Sequence, residues 1–226
     1  MTSRERGEGM GPTDEQLQEA MGDLVSLRRD LHRHPELGLQ LPWTQQRLLA
    51  ELEPLGLETT LGKSSTSITA VIRGKRRGRS VLLRADMDAL PVQEDPALEF
   101  ASEEAGRMHA CGHDLHMAAL IGAARWLHAR RDELEGDVVL MLQPGEEGYD
   151  GAGRMISEGV LEAAGQRVEA AYGLHVISGP VPAGLIATKA GPVMSASDGL
   201  IVTVHGRGGH GSSPHRAADP VPVMGR

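Results

Sequence analysis

From Asp14 to His32 apolar residues recur at helical spacing, at Leu17, Met21, Leu24, Val25, Leu27 and Leu31, which predicts one helix with a single buried stripe. Thr13 or Asp14 stands where a cap belongs. Pro35 cannot continue that helix, so His32-Arg33-His34-Pro35-Glu36-Leu37-Gly38 reads as a turn. A second helical pattern runs from about Trp43 to Leu55 and stops near Pro54 and Gly56. Residues 57–61, 67–73 and 80–85 read as strands, the last running into Asp86-Met87-Asp88. Leu115 to Arg130 is helical again, with Asp114 placed to cap it. Residues 137–142, apolar from Val138 onward, read as a buried strand that leads into Gln143-Pro144-Gly145-Glu146-Glu147-Gly148. A short helix around 153–157, a strand over 167–174 ending at His175, and a strand-like stretch over 184–189 follow. Residues 200–205 alternate enough for a half-buried strand, after which the chain enters Gly206-Arg207-Gly208-Gly209-His210-Gly211.

Strands that alternate with helices predict the α/β class, here a three-layer sheet with helices on both faces. Function in such sheets gathers at the carboxyl ends of strands. Asp86 and Asp88 end one strand, Glu146 and Glu147 a second, and His175 a third. Cys111-Gly112-His113 opens a helix and can reach the same edge; it lies in Met108-His109-Ala110-Cys111-Gly112-His113-Asp114-Leu115-His116, around the only cysteine of the chain. Thiolate and imidazole are ligands that zinc and similar metals prefer, and a helix N-terminus favours a thiolate. Each piece has a plainer reading alone: a turn at Asp-x-Asp, two solvated surface glutamates, a core histidine, a buried free cysteine. Gathered at one edge, so many acids would repel one another, and a bound dication resolves that repulsion.

A net charge of -8 and a pI near 5.7 argue against nucleic acid and anionic membranes as partners. A single cysteine excludes an intrachain disulfide and fits a reducing compartment. Residues 1–13 are polar, without the apolar core of a signal peptide, and are expected to form a disordered lead-in to a cytoplasmic protein. The basic run over 73–79 contains two glycines and no aromatic residue, so it is expected to be a solvated hairpin tip rather than a phosphate site.

The segments RRDLHRHPELG, LLRADMDALPV, HACGHDLHM, QPGEEG, YGLHV and GRGGHGSSPH occur in this order. Together they resemble the amidohydrolase branch of the aminoacylase and carboxypeptidase metallopeptidase family, whose members include hippurate hydrolases, N-acyl-amino-acid amidohydrolases, auxin-conjugate hydrolases and N-acetyl-diaminopimelate deacetylases. The resemblance runs from about Leu24 to the last residue. It implies metal ligands at Cys111, His113, Glu147 and His175, around one or two zinc or manganese ions, with Cys111 where two metals would share a ligand. It implies Glu146 as general base and Asp88 as a residue that orients the site. His210 would sit on a lid domain and hold substrate and oxyanion, across the interface of a dimer. Asp86 stands where other branches place a ligand histidine and is not taken as a ligand. The implied substrate is a small N-acyl amino acid.

The implied domains are the catalytic domain over 14–195 and the start of an α+β lid and dimerisation domain, with its first strand, over 196–226, the lid beginning near Asp198. Family members are considerably longer. The expectation is therefore an N-terminal portion that lacks the rest of the lid and a last ligand histidine, and that is poorly active alone. The rivals are a non-catalytic metal-binding or regulatory fragment and a cysteine hydrolase, with Cys111 as nucleophile and His113 or His116 as base. One further departure lies at Leu39-Gln40-Leu41-Pro42-Trp43-Thr44, where relatives commonly carry acids before the threonine.

Overall fold

The strand at residues 137–142 is central because every one of its side chains is apolar or buried, so it needs cover on both faces. In the computed structural model, which describes residues 14–76, 78–95, 97–179, 182–194 and 200–225, this strand is β4 (Asp137–Gln143), buried along its whole length. The lead-in over 1–13 with its Thr13 cap, and the boundary at 195/196 with the lid start at Asp198, lie outside the described residues. Around β4 stand β1 (Glu58–Leu61), β2 (Ile68–Ile72), β3 (Ser80–Asp86) and β5 (Ala170–Gly173), in the order β1-β2-β4-β3-β5. β1, β2 and β4 pair antiparallel, while β4, β3 and β5 run parallel.

Alternation along β4 divides the core. Val138, Leu140 and Leu142 face one layer, with Leu27 and Leu31 of α1 (Asp14–Arg33), Leu48 of α2 (Pro42–Leu52), and Met117 and Ile121 of α3 (His113–Ala129). Val139 and Met141 face the other, with Leu82, Val160 and Met155 of α4 (Gly151–Ser157). The sheet thus has helical cover on both faces, as the α/β pattern predicts. None of the helices among the described residues is long and apolar enough to cross a membrane.

Several local expectations are corrected. Residues 73–79 are not a hairpin tip, because β2 and β3 flank β4 instead of pairing with each other. Arginines of this crossover are matched by acids: Arg73 by Glu58 and Asp137, Arg76 by Glu135, and Arg79 by Glu169. Asp114 does not cap α3. Gly112, at φ 83, holds the cap position, and Asp114 is buried in the first turn with a distant partner.

That partner is His32, near the end of α1. Its Nδ1 lies 2.7 Å from Asp114 Oδ2 and its Nε2 3.0 Å from Glu94 Oε1, so each ring nitrogen faces a carboxylate. Arg28 Nε pairs with Asp114 Oδ2 at 2.8 Å. Burial opposes a charged imidazole, yet the bonds to Asp114 and Glu94 outweigh it and raise the His32 pKa. Burial likewise opposes both carboxylates, but hydrogen bonding, from His32 to Asp114 and from the Ser102 amide and His32 to Glu94, holds their pKa values below normal. The cluster pins α1 against the start of α3. Nearby Glu36 receives the Trp43 and Thr44 amides and so caps α2 from the preceding turn.

A second compact unit comprises Gly179–Arg226. Its described residues contain the Arg207–Ala218 bridge and a short helix α5 (Val221–Met224). The strands expected over 184–189 and 200–205 do not form: no ladder pairs with either among the described residues, and Leu200, Ile201 and Val202 are exposed. Alternation sets the faces of a strand, but only a partner satisfies its backbone.

The His32 cluster makes a signed prediction. His32→Ala leaves two buried carboxylates without their shared cation and should cost about 3–5 kcal/mol. His32 stabilises fully below its unfolded value of 6.5 and loses that contribution as pH rises through its raised folded value. Asp114 and Glu94, lowered from 3.8 and 4.5, lose theirs as pH falls through their folded values. The wild-type advantage, measured by urea unfolding across pH, should therefore peak between about pH 5 and 6.5 and shrink in alkali; an advantage independent of pH would contradict this account.

Candidate metal centre

Because β4, β3 and β5 are parallel, their carboxyl ends share one edge. Asp86 and Asp88 leave β3 there, Glu146 and Glu147 follow β4, and His175 follows β5. Cys111 precedes α3 and His113 is its first residue. His113 Nδ1 donates to the Asp88 carbonyl at 2.7 Å, which orients the ring and turns Nε2 toward the cluster. That Nε2 is buried with no hydrogen-bond partner. It lies 3.5 Å from Asp86 Oδ2, 3.9 Å from Glu147 Oε1 and 4.0 Å from Glu146 Oε2. Cys111 Sγ is 3.4 Å from His175 Nε2, while His175 Nδ1 donates to the Val176 carbonyl at 2.6 Å. Two donor sets result, Cys111-His113-His175 and His113-Glu146-Glu147, each with atoms within 4.8 Å of one another. His113 belongs to both.

Asp88 supports this edge from beneath. Its Oδ1 accepts the Glu146 amide at 2.9 Å and its Oδ2 the Glu147 amide at 3.0 Å. The loop is tightened further by Gly145, at φ 68, where a side chain would meet Leu39 and Tyr149. Gly151 closes the loop from the far side, its amide on the Gly145 carbonyl at 3.0 Å. Leu39 is thus apolar packing for the glutamate loop.

The electrostatics are those of a donor set short of positive charge. Burial, then the charge of Glu147 with smaller effects of Glu146 and Asp86, pushes the Cys111 thiol up to about 11. The expected helix dipole does not prevail over these neighbouring acids. Burial and the neighbouring Glu146 also raise Glu147. Burial would raise Asp86 too, but the His116 hydrogen bond and the charges of His113 and Arg84 hold it below the usual range. An unpartnered imidazole nitrogen beside a thiol and two carboxylates fits a divalent cation by donor chemistry.

The cysteine-hydrolase arrangement is not formed as expected. Among the described residues the imidazole hydrogen-bonded to the thiol is neither His113 nor His116 but His175; His116 is bound at both nitrogens, to Asp86 Oδ1 at 2.6 Å and the Val176 amide at 2.9 Å. His175, the nearer imidazole, faces a thiol whose pKa is raised. His210 lies in the second unit, exposed, with Nδ1 2.8 Å from Ser212 Oγ. Sequence reasoning overlooked the structural use of His116; its spacing of three from His113 on a helix was the available signal.

Gly112 makes the junction between the cysteine turn and the His175 segment possible. A Cβ there would lie 2.3 Å from Val176 Cγ2, at a φ of 83 that side chains rarely adopt. Gly112→Ala should cost at least about 1–2 kcal/mol from backbone strain alone, and should weaken metal binding by displacing Val176. Adding Val176→Gly should relieve the clash and leave the backbone cost. Unfolding and chelator competition on the two variants check this, and an Ala variant equal to wild type in both would refute it.

Comparison with known proteins follows the same residues. The profile of peptidase family M20/M25/M40 matches residues 82–222. Thermostable carboxypeptidase 1 of Saccharolobus solfataricus is 44% identical over 202 residues, 88% of this chain and 50% of that protein. The N-acyl-L-amino acid amidohydrolase of Geobacillus stearothermophilus is 38% identical over 92% of this chain and 55% of its own length. Among solved structures, the Bacillus subtilis YXEP protein, a dinuclear metal binding peptidase from the M20 family, superposes with a TM-score of 0.66 at 42% identity, covering 70% of this chain and 43% of that one. The chain spans about half the length of the curated relatives it matches.

Proposed function

Since this chain belongs to peptidase family M20/M25/M40, we propose that its strand-end cluster is the metal centre of an amide hydrolase acting on N-acyl amino acids. The observation that carries the reading is the buried, unpartnered Nε2 of His113 where two donor sets meet. Cys111, His113, Glu147 and His175 would hold one or two divalent ions. Thiolate and imidazole favour zinc, while the carboxylate and imidazole set also accepts manganese. Such ions, when bound, polarise an amide carbonyl and acidify water.

The two glutamates divide the remaining work. Glu146 is the more open, with 41% of its side chain exposed against 26% for Glu147. We assign Glu146 as general base: its carboxylate takes a proton from the attacking water and returns it to the departing amine nitrogen. Glu147, with its neighbour Cys111, faces inward as a ligand. Asp88 keeps both glutamates in register through their amides. His210 is assigned to the substrate carboxylate and the developing oxyanion, from a lid over 196–226, in a dimer. The domain reading keeps 14–195 as catalytic, and a cytoplasmic setting fits the unpaired thiol.

The test separates the roles in the native gene product. Cys111→Ala and Glu147→Ala should each lower metal content after dialysis, measured by elemental analysis, because each removes a ligand. Wild-type stoichiometry in both would sink the ligand assignment. Glu146→Gln should keep its metal and lose on the order of a hundredfold to ten-thousandfold in hydrolysis of N-acetyl or N-benzoyl amino acids. Metal loss in Glu146→Gln with retention in Glu147→Gln would reverse the pair. Metal bound without turnover of any such substrate in the wild type would favour a non-catalytic metal-binding protein.

A further inference from the structure

We infer that His116 is a positioning residue that holds His175 toward the metal centre, and is not itself a ligand. The inference rests on the metal-centre reading above. His116 lies one turn after His113, its ring 5.5 Å from that of His113 and stacked on it. It is buried, and with Asp86 and His113 it forms a third set of donor atoms close enough for a cation. Proximity alone would make it a ligand.

Its hydrogen bonds assign it otherwise. The Val176 amide can only donate, so His116 Nε2, 2.9 Å away, receives that proton with its lone pair. The ring hydrogen then sits on Nδ1 and is given to Asp86 Oδ1 at 2.6 Å. Neither nitrogen has a lone pair left for a cation. Asp86 is fixed in turn, since its Oδ2 pairs with Arg84 Nη1 at 2.7 Å and Arg84 Nε donates to Gln143 Oε1 at 2.9 Å. A polar chain therefore runs from β4 through β3 and α3 to the segment after β5.

What it reaches is the peptide beside His175. Val176 is held at its amide by His116 and at its carbonyl by His175 Nδ1. The second bond occupies Nδ1 and leaves His175 Nε2 as the nitrogen that faces Cys111 Sγ. β5 cannot supply this order by itself. It is an edge strand of four residues, mostly exposed, and its ladder ends at Gly173. Beyond that point His116 Nε2 and the Cys111 contact tie the segment back. The His116 and His175 rings also meet edge to face at 4.9 Å.

The experiment uses isotope-labelled histidines in the full chain, with spin-active cadmium as the probe metal. In the metal-free protein His116 should show the Nδ1–H tautomer and the Val176 amide should resist exchange. With cadmium bound, metal–nitrogen coupling should appear at His113 and His175 and be missing at His116. His116→Phe keeps a ring and loses both bonds; it should strip Val176 of protection and weaken cadmium binding about 10- to 100-fold in chelator competition. His116→Gln, able to donate and accept, should recover part of that loss. Cadmium coupling at His116, an Nε2–H tautomer, or wild-type affinity in His116→Phe would each overturn the inference. Should no histidine couple to cadmium, the metal-centre reading fails separately, and the tautomer with Val176 exchange still decides the role of His116. Both are read on the unmutated chain, so they hold even if His116→Phe does not fold.

Discussion

Four carboxylates and a thiol gathered at the end of one sheet cannot all be charged without compensation, and the surrounding structure is arranged by that constraint. Two acids are engaged from within the protein. Asp88 spends both oxygens on the Glu146 and Glu147 amides, and Asp86 is paired with Arg84 and His116. The same bonds place Glu146, Glu147 and Cys111 together, and among the described residues no arginine or lysine pairs with the two glutamates. His113 meets them with one nitrogen only, because its Nδ1 is committed to the Asp88 carbonyl while its Nε2, without a hydrogen-bond partner, stands 4.0 Å from Glu146 and 3.9 Å from Glu147. The internal pairing is therefore selective: it neutralises the acids that build the edge and leaves uncompensated those that face the space between the strands. Their thiol and carboxylate donors suit a divalent cation.

That separation explains why the two aspartates of Asp-x-Asp differ although they end the same strand. Asp86 is held by side chains with their own protons to give, Asp88 by backbone amides of a different strand end. The first links the sheet to α3; the second carries the register of β3 into the β4 loop. A shift of that loop would move both glutamates together, since one carboxylate holds both amides.

Much of this was legible in the chain. The apolar run at 138–142 identified the central strand, because only cover on both faces suits it, and the acids and His175 following three strands identified the edge. What was not legible depended on partners far away in sequence. Asp114 has the chemistry of a cap, and its use is decided by His32, 82 residues earlier. Two successive strands around the basic run look like a hairpin until β4, which begins only at Asp137, inserts between them. Residues 200–205 have the alternation of a strand, but alternation says nothing of a partner. His116 is the same kind of case: its type and spacing read equally as ligand or support, and the difference lies in an amide from the end of β5.

Support for the donor residues is consequently uneven. Cys111 and His113 start a helix of 17 residues whose first turn is pinned to α1 through Asp114 and His32. Glu146 and Glu147 follow the most buried strand and are fixed by Asp88. His175 follows a short, exposed edge strand and depends on side chains reaching over from α3. Close approach is needed for that reach, which is why the residue between Cys111 and His113 must lack a side chain. The edge is thus rigid where α3 and β4 end and compliant where β5 ends, so the order of His175 is set by His116 and Gly112 more than by the strand that delivers it.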